Sequence, residues 1–469
     1  MMRCLISLLS VLMITGCSLA PEYQRPEMII PPHYKELNIT WLEANPDIIF
    51  DNGTVFSQHW WEMYHDPVLN ALEKRINIDN QDLKLALARH DEASALLRVV
   101  QSGYFPMITG DGQIAREQTS RTVSNVETIP QFNNDFLEAN LSYEVDLWGQ
   151  VRNAVAVAAH QLQASSIQVA TMRLSLQAQL ATAYFDLRGL DKAQYVLDST
   201  VNAYERAYLL RKERWKKGLD AADSYYQAKT VWENAKTRAS DNRLQRAQLE
   251  HVIAVLMGVT PSALTIKPEI STAPLLVIHP ELPSTLLERR PDVAAAERLV
   301  AAANAQIGVT RAAFFPSFNI VSTIGTQSAK ITNFFNSPSL IWGVGANITQ
   351  PIFEGGQLMG LNDQAFAQYD ESVAIYRKTV LTAYQEVEDA LVALHQLREE
   401  NDSQHAAFSA ADNALKKVNL QYKGGITTYL DVVIQENTVL QMELLLIDVN
   451  TRYHVETIQL IKALGGGWK

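Results

Sequence analysis

From Trp148 to Lys217 the sequence contains no proline, and its only glycines are Gly149 and Gly189. These seventy residues would form an α-helix of roughly 100 Å at 1.5 Å per residue, whereas an ordinary helix has about 12 residues. Apolar residues recur at spacings of three and four, broken at Ser166 and Arg173. The pattern predicts sustained coiled-coil packing with small-residue seams, although a long helix in a simple bundle would give the same stripe.

The chain contains an internal duplication. Asp82 opens a helical stretch that ends at Phe105-Pro106, and Asp292 opens one that ends at Phe315-Pro316, 210 residues later in both cases. Each half therefore predicts the same order of elements: helix, strand, loop, strand, very long helix, tight turn and shorter helix. Further matches keep an offset of 207 residues: Gly149-Gln150 with Gly356-Gln357, Trp215-Lys216 with Tyr422-Lys423, and Met257-Gly258 with Leu464-Gly465.

The first seventeen residues are typical of a bacterial lipoprotein signal. Arg3 gives a positive start, Leu5 to Ile14 form a short apolar run, and small residues lead to Cys17. The thiol of Cys17 would be lipidated, and Ser18 in the following position favours sorting to the outer membrane. An ordinary secretory signal that ends near a cysteine is the alternative.

Six segments are predicted along the chain. The stretch between the halves holds six prolines from Pro261 to Pro291, a density that forbids a regular helix. The predicted segments are a signal peptide (1–16), a lipid-anchored extended N-terminal segment (17–78), a first repeat (79–258), a Pro-rich connector (259–291), a second repeat (292–465) and a short C-terminal tail (466–469).

Residues 136–148 alternate between apolar and polar side chains, as do residues 340–349 in the second half. The stretches after each Phe-Pro, 108–114 and 318–324, show a weaker alternation. Strands of about ten residues with one apolar face fit a transmembrane β-barrel, and a half-buried sheet in a soluble domain is the alternative. Glu138, Glu144 and Asp146 fall on the polar face, and they would line the barrel lumen and favour cations.

Four strands cannot close a barrel, and open sheet edges are not tolerated in lipid. Two copies would supply eight strands, whose interior is filled by side chains, and three copies would supply twelve, which leave a water channel. Because the long helices suit an assembly that conducts, the trimer is favoured. The predicted fold class is mixed α and β, with a trimeric 12-stranded transmembrane β-barrel to which each protomer contributes four strands.

Composition and motifs argue against several other classes of protein. The chain has 40 basic and 51 acidic residues and a formal charge of −11, so no nucleic-acid partner is expected. Its two cysteines, Cys4 and Cys17, both lie near the N-terminus, which excludes a cysteine-based metal site in the body. There is no P-loop, nucleophile elbow or zinc-protease motif. No catalytic residue, metal ligand or cofactor is expected, and the protein should not be an enzyme.

Several motifs resemble those of the TolC-like outer-membrane efflux proteins, in particular their lipoprotein (OprM or NodT) branch. They cover nearly the whole chain: the lipobox at Cys17, Trp60-Trp61 to Asp66-Pro67, Asn80 to Leu83, Leu286 to Val293, and Ile307-Gly308 to Phe315-Pro316-Ser317. The resemblance implies a homotrimer whose 12-stranded barrel is continued by a 12-helix periplasmic coiled-coil tunnel. It also implies a periplasmic membrane-fusion adaptor, an inner-membrane resistance-nodulation-division pump and contact with outer-membrane lipid. The implied function is passive conduction of drugs or other small molecules out of a Gram-negative cell. A duct for type I polypeptide secretion, or a lipid-anchored periplasmic scaffold without a pore, would be the alternatives.

The resemblance also assigns roles at the two tight turns. Gly218, Leu219, Gly425 and Ile426 would form the helix tips that meet the adaptor, and the two glycines are expected to be left-handed. Leu430 and Asp431 would form rings around the trimer axis and narrow the tunnel, although Asp431 could instead be a solvated helix carboxylate. Tyr422 would join neighbouring hairpins, with Asp223 as its candidate partner.

Overall fold

The computed structural model describes residues 18–37, 58–118, 120, 131–270, 273–276, 278, 283 and 289–468. Cys17 and the predicted signal peptide, together with part of the Pro-rich connector, lie outside these residues. The chain divides into two compact units. The first, called the strand unit, comprises Met1–Glu27, Arg89–Ser166 and Ala295–Arg377, and the second, called the hairpin unit, comprises Met28–Ala88, Ile167–Ala294 and Lys378–Lys469.

The first half of the chain begins with a 3₁₀ turn, Trp60–Tyr64. The elements that follow it are α1 (Pro67–Asp79), α2 (Gln81–Gln101), β1 (Met107–Gln118), β2 (Gln131–Glu144), α3 (Gln150–Lys216) and α4 (Ala222–Leu256).

The second half has α5 (Pro291–Ala312), β3 (Ser317–Ser328), β4 (Leu340–Thr349), α6 (Gln357–Lys423) and α7 (Tyr429–Ala463). Helices α3 and α6 have 67 residues each, and α4 and α7 have 35 each. The predicted order of elements in each half is confirmed. In the described part of the chain, no helix is both long enough and apolar enough to cross a bilayer.

Helix α1 occupies residues that the sequence analysis placed in an extended segment, so that prediction is wrong for 67–78. The carboxylate of Asp66 accepts hydrogen bonds from the backbone of Val68 at 2.8 Å and Leu69 at 3.1 Å. Pro67 fits the first helical position because its missing N–H would have no partner there. The same carboxylate accepts the hydroxyl of Tyr184 at 2.6 Å, which fixes the helix start against α3.

The C-termini of α4 and α7 meet the N-termini of α2 and α5. The side chain of Asn80 accepts from Leu83 N at 2.9 Å and donates to Leu256 O at 2.8 Å, so one residue satisfies both helix ends. In the second half the guanidinium of Arg290 donates to Ala463 O at 3.2 Å. These two contacts explain why Asn80 and Arg290 occupy equivalent positions in the two repeats.

The connector between the halves is fastened to the long hairpin by charged side chains. Arg246 donates to Ile266 O at 2.7 Å, and Glu250 accepts from Ile266 N at 2.7 Å. Arg188 donates to Lys267 O at 2.8 Å while it pairs with the buried carboxylate of Asp191 at 3.0 Å. Backbone groups of Ile266 and Lys267 thus have side-chain partners although residues 264–270 have no regular secondary structure.

Residues 18–23 extend along the strand unit and are held by polar contacts. The hydroxyl of Ser18 donates to Asn153 at 2.9 Å, and Tyr23 donates to Glu297 at 2.5 Å. The backbone carbonyls of this segment accept from Asn304 at 2.8 Å and from Arg311 at 3.3 Å. The first described residues are thus fixed to the unit that contains the strands.

The four strands form one antiparallel sheet in the order β1-β2-β3-β4. Met107 pairs with Ser142 across the first pair, and Thr326 pairs with Leu340 across the last. Among the described residues, β1 pairs only with β2 and β4 only with β3, so both outer edges of the sheet lack a strand neighbour. Such edges present unpaired backbone N–H and C=O groups that can pair with strands of another chain.

One face of this sheet is apolar and exposed. Paired residues share a face, and the pairs Ala139 with Ile324 and Ile324 with Trp342 place the predicted apolar sets together. Trp342 is 74% exposed and Val344 is 72% exposed. The alternation predicted from the sequence is confirmed, and the large apolar surface has no cover within the described chain.

The core of the hairpin unit contains a carboxyl group without a partner. Glu73 lies on the buried face of α1 with Leu69 and Ile76, and it is 0% exposed. Neither of its carboxylate oxygens has a hydrogen-bond partner among the described residues. Burial raises the pKa of Glu73 well above its ordinary value because the charged form is poorly solvated there. Burial therefore favours the neutral, protonated form of this side chain in the native state.

We predict that Glu73→Gln raises thermal stability and that the gain is larger at pH 8 than at pH 5. The native state holds the Glu73 proton more tightly than the unfolded chain, so its stability falls as pH rises above about 4.3, the ordinary glutamate value. The glutamine side chain does not titrate in this pH range, so the substitution removes this loss of stability with rising pH. Thermal unfolding midpoints of the detergent-solubilised protein at the two pH values measure this gain. Glu62→Gln is the control, since Glu62 is exposed. An equal gain at both pH values would contradict the prediction.

Candidate functional site

The two tight turns have the same backbone structure. Gly218 has φ of 69° and Gly425 has φ of 72°, the left-handed conformation expected at both positions. Leu219 N donates to Arg214 O, and Ile426 N donates to Gln421 O, each at 2.9 Å. These bonds satisfy the last carbonyls of α3 and α6 and reverse the chain in a few residues.

Both turns expose an apolar side chain beside lysines. Leu219 is 63% exposed and Ile426 is 78% exposed. Lys216, Lys217 and Lys423 lie within three residues of them and are not buried. Exposed leucine and isoleucine at a turn contribute nothing to the core of the chain, so the turns present a small apolar and basic surface suited to a partner.

Arg211 joins the first hairpin to the second near these turns. It lies on α3, and its guanidinium pairs with Asp220 at 2.9 Å. The same group donates to the hydroxyl of Tyr422 on α6 and lies 4.1 Å from the ring centroid of Tyr429 on α7. The side chain of Arg211 is 7% exposed, so the cation has little water and depends on these partners.

Asp220 forms a second salt bridge, with Arg214 at 3.0 Å. Burial opposes the ionisation of Asp220, but the hydrogen bonds and positive charges of Arg211 and Arg214 outweigh it and hold the pKa below its ordinary value. The carboxylate thus stays charged at all physiological pH values. It fixes the first turn to the arginine that crosses to the second hairpin.

The expected pair of Tyr422 and Asp223 does not form within the described residues of one chain. Tyr422 bonds to Arg211 instead, and Asp223 accepts from Ser224 N at 2.7 Å at the exposed start of α4. The arginine lies on the helix that faces Tyr422, whereas Asp223 belongs to the helix after the turn. Within one chain the hydroxyl of Tyr422 therefore accepts from the Arg211 guanidinium and makes no hydrogen bond to the carboxylate of Asp223.

Asp431 has a local structural role at the start of α7. Its carboxylate accepts from Thr428 N at 3.0 Å and from the hydroxyls of Thr427 and Thr428, each at 2.6 Å. The hydrogen bonds from Thr427 and Thr428 lower the pKa of Asp431, so it remains a carboxylate. Leu430, beside it, is 47% exposed and available for contacts beyond this chain.

Stacked aromatic rings stiffen the first hairpin. The rings of Trp215 and Tyr225 lie 4.8 Å apart at an interplanar angle of 12°, and those of Tyr208 and Trp232 lie 5.0 Å apart at 11°. These contacts join α3 to α4 over the last turns before the tip. The tip is thereby positioned by packing rather than left to loop flexibility.

The three acidic residues predicted on the sheet differ in position. Glu138 and Glu144 lie on the polar face of β2, where Glu138 accepts from Asn140 at 3.1 Å. Asp146 lies beyond the strand, which ends at Glu144 rather than at the predicted Trp148. Its carboxylate accepts from the backbone of Arg152 at 3.0 Å and from its guanidinium at 2.9 Å, so the prediction of a strand position for Asp146 is wrong.

Arg211 and Tyr429 are site residues that the sequence analysis did not single out. The basic stretch from Arg211 to Lys217 precedes the turn, but spacing alone does not separate a buried arginine from exposed ones. Among the described residues, no group of three or more His, Cys, Asp or Glu side chains is arranged to hold a metal ion.

We predict that Arg211→Ala loosens both turns. A hydrogen bond to a charged group contributes about 1.5–3 kcal/mol, so the amides of residues 216–222 and 422–430 should exchange roughly tenfold faster or more. Hydrogen-deuterium exchange with mass spectrometry measures this change. Arg206→Ala is the control, since Arg206 is exposed on the same helix. Equal exchange in the two variants would show that Arg211 does not hold the turns together.

Comparison with known proteins identifies the family. A family model described as outer membrane efflux protein matches residues 74–259 and 282–466. The probable efflux pump outer membrane protein TtgC of Pseudomonas putida is 30% identical over 472 aligned residues, which span 100% of this chain and 96% of TtgC.

Two solved structures have the same fold. A membrane protein from Pseudomonas aeruginosa superposes with a TM-score of 0.86 at 28% identity, covering 96% of this chain and 98% of that one. The Campylobacter jejuni CmeC outer membrane channel superposes with a TM-score of 0.89 at 23% identity, covering 97% and 96%. The predicted fold, efflux function and outer-membrane location are confirmed at this level. The chain therefore belongs to the outer membrane efflux protein family.

Proposed function

We propose that three copies of the chain close a twelve-stranded barrel in the outer membrane and conduct small molecules through it. The observation that supports this proposal is the four-stranded sheet with an exposed apolar face and two free edges. In lipid, each unpaired backbone group costs several kcal/mol, so the edge of β1 must pair with β4 of a neighbouring copy. Twelve strands leave an aqueous channel, and the long helices of each copy would continue it below the membrane.

The N-terminal segment supports attachment to the same membrane. Ser18 and Leu19 are fastened to the strand unit. Lipidation of Cys17, the residue before Ser18 in the sequence, would add acyl chains that insert into the same membrane. A lipid on this residue adds an anchor and needs no rearrangement of the described segment.

The tips at Gly218-Leu219 and Gly425-Ile426 are proposed to meet a periplasmic membrane-fusion adaptor. Their exposed apolar side chains and neighbouring lysines favour a helical partner that offers an apolar seam and acidic residues. The energy for transport would come from an inner-membrane pump of the resistance-nodulation-division type. The chain itself would perform no chemical reaction and need no cofactor.

The gate is proposed to lie at the start of α7. In a trimer, Leu430 and Asp431 would each occur three times around the axis, giving an apolar ring and a carboxylate ring. The bonds of Arg211 to Tyr422 and Asp220 would hold the hairpins of each copy in the narrow arrangement. Glu138 and Glu144 on the polar face of the sheet would favour cations in the wider barrel above.

We predict that Leu430→Ala raises single-channel conductance in planar bilayers because the apolar ring becomes wider. Asp431→Asn keeps an oxygen that can accept from Thr428 N but loses the charge, so cation selectivity should fall. Leu209→Ala is the control, since Leu209 is 49% exposed and Leu430 is 47% exposed.

Unchanged conductance and selectivity in both variants would remove these residues from the gate while leaving the channel itself intact. A wild-type protein that forms no ion-conducting pore in the bilayer would contradict the proposed function as a whole.

A further inference from the structure

A polar pocket of about 300 Å³ lies in the hairpin unit, and its lining includes no residue of the two tips. Its volume is at the lower end of the range for small-molecule sites. The walls come from the 3₁₀ turn, α1, α3 and the C-terminal turn. The polar and aromatic lining residues include His59, Trp61, Asn77, Arg173, Gln177 and Trp468.

The C-terminal wall of this pocket is rigid. Gly465 and Gly466 have φ of 95° and 56°, and a Cβ on Gly466 would lie 2.1 Å from Leu174 Cδ1. A Cβ on Gly465 would lie 2.3 Å from Arg289 O. The turn is therefore pressed against the helices, and Trp468 N donates back to Gly465 O at 3.1 Å. The segment from Gly465 to Trp468 thus holds the indole of Trp468 at the pocket.

One buried donor on this pocket has no partner among the described residues. Trp61 is 1% exposed, and its Nε1 donates to no atom there. Gln177, which is 5% exposed, contributes a carboxamide to the lining. Buried donors in native proteins almost always have an acceptor, so the indole N–H of Trp61 favours a ligand with acceptor groups.

The charge of the pocket favours an anion. Arg173 is exposed and forms no ion pair with any described residue. The described lining contains no aspartate or glutamate, in a chain whose formal charge is −11. A guanidinium presents a planar fork of donors that matches a carboxylate. An arginine left unpaired in an acidic protein is thus suited to a ligand carboxylate.

The remaining lining residues favour a sugar as the body of that ligand. Gln58, Asn77 and Gln177 bring three carboxamides, each of which both donates and accepts and so matches neighbouring hydroxyl groups. Trp468 and His59 add aromatic rings, whose faces suit the apolar face of a pyranose. We propose that this pocket binds an acidic sugar, a pyranose with one carboxylate, which pairs with Arg173 while its hydroxyls bond to the carboxamides. This proposal is independent of whether the chain conducts.

Two sugars that differ in a single group test the proposal on the full-length, detergent-solubilised protein. N-acetylmuramic acid is N-acetylglucosamine with a lactyl ether, which supplies the carboxylate. Isothermal titration calorimetry should show binding of N-acetylmuramic acid and at least tenfold weaker binding of N-acetylglucosamine, since a charge-assisted bond is lost. Lactate alone should also bind at least tenfold more weakly, because it lacks the ring.

Substitutions locate the binding. Arg173→Ala should weaken N-acetylmuramic acid at least tenfold and leave N-acetylglucosamine unchanged, whereas Gln177→Leu should weaken both sugars. Arg206→Ala, an exposed arginine on the same helix, should change neither. Unaltered thermal midpoints would show that the variants are folded. No binding of either sugar, equal binding of lactate, or equal affinities of the wild type and Arg173→Ala would each overturn the proposal.

Discussion

The structure depends on the two free edges of its four-stranded sheet. The outer edges of β1 and β4 have no strand neighbour within the described chain, and the face with Trp342 and Val344 is apolar and exposed. In water this sheet would aggregate, and in lipid its unpaired backbone groups would be very costly. The pairing between copies that we propose would resolve both problems at once.

Because of the duplication, each copy contains two pairs of strands and two long hairpins that are held by equivalent contacts. Asn80 fastens the end of α4 to the start of α2, and Arg290 fastens the end of α7 to the start of α5. Gly218 and Gly425 then reverse the chain with matching hydrogen bonds. Arg211 makes the two halves unequal, since it crosses from the first hairpin to Tyr422 and Tyr429 of the second. Arg211 thus links the two hairpins through contacts that lie outside the repeated framework.

Long-period patterns predicted most of the fold. The run without proline from Trp148 to Lys217 became α3, and the alternation around Leu137 became β2, because helix and strand periodicity depend on many residues at once. Local chemistry was harder to predict. Helix α1 depends on the bond between Asp66 and Tyr184, which are distant in sequence. Asp146 continues the alternation of β2, yet its carboxylate is bound by Arg152 at the start of α3.

The candidate site was likewise predicted only in part. The left-handed glycines followed from turn chemistry, while the partner of Tyr422 depended on which of several arginines is buried, a property that sequence does not display. We propose that three copies close one barrel, and the mass of the detergent-extracted particle, corrected for bound detergent, measures this assembly. We expect a mass of about three chains, where the full 469-residue chain has 52.4 kDa. A monomer that stays soluble without detergent would contradict it, because the apolar sheet would then have another cover.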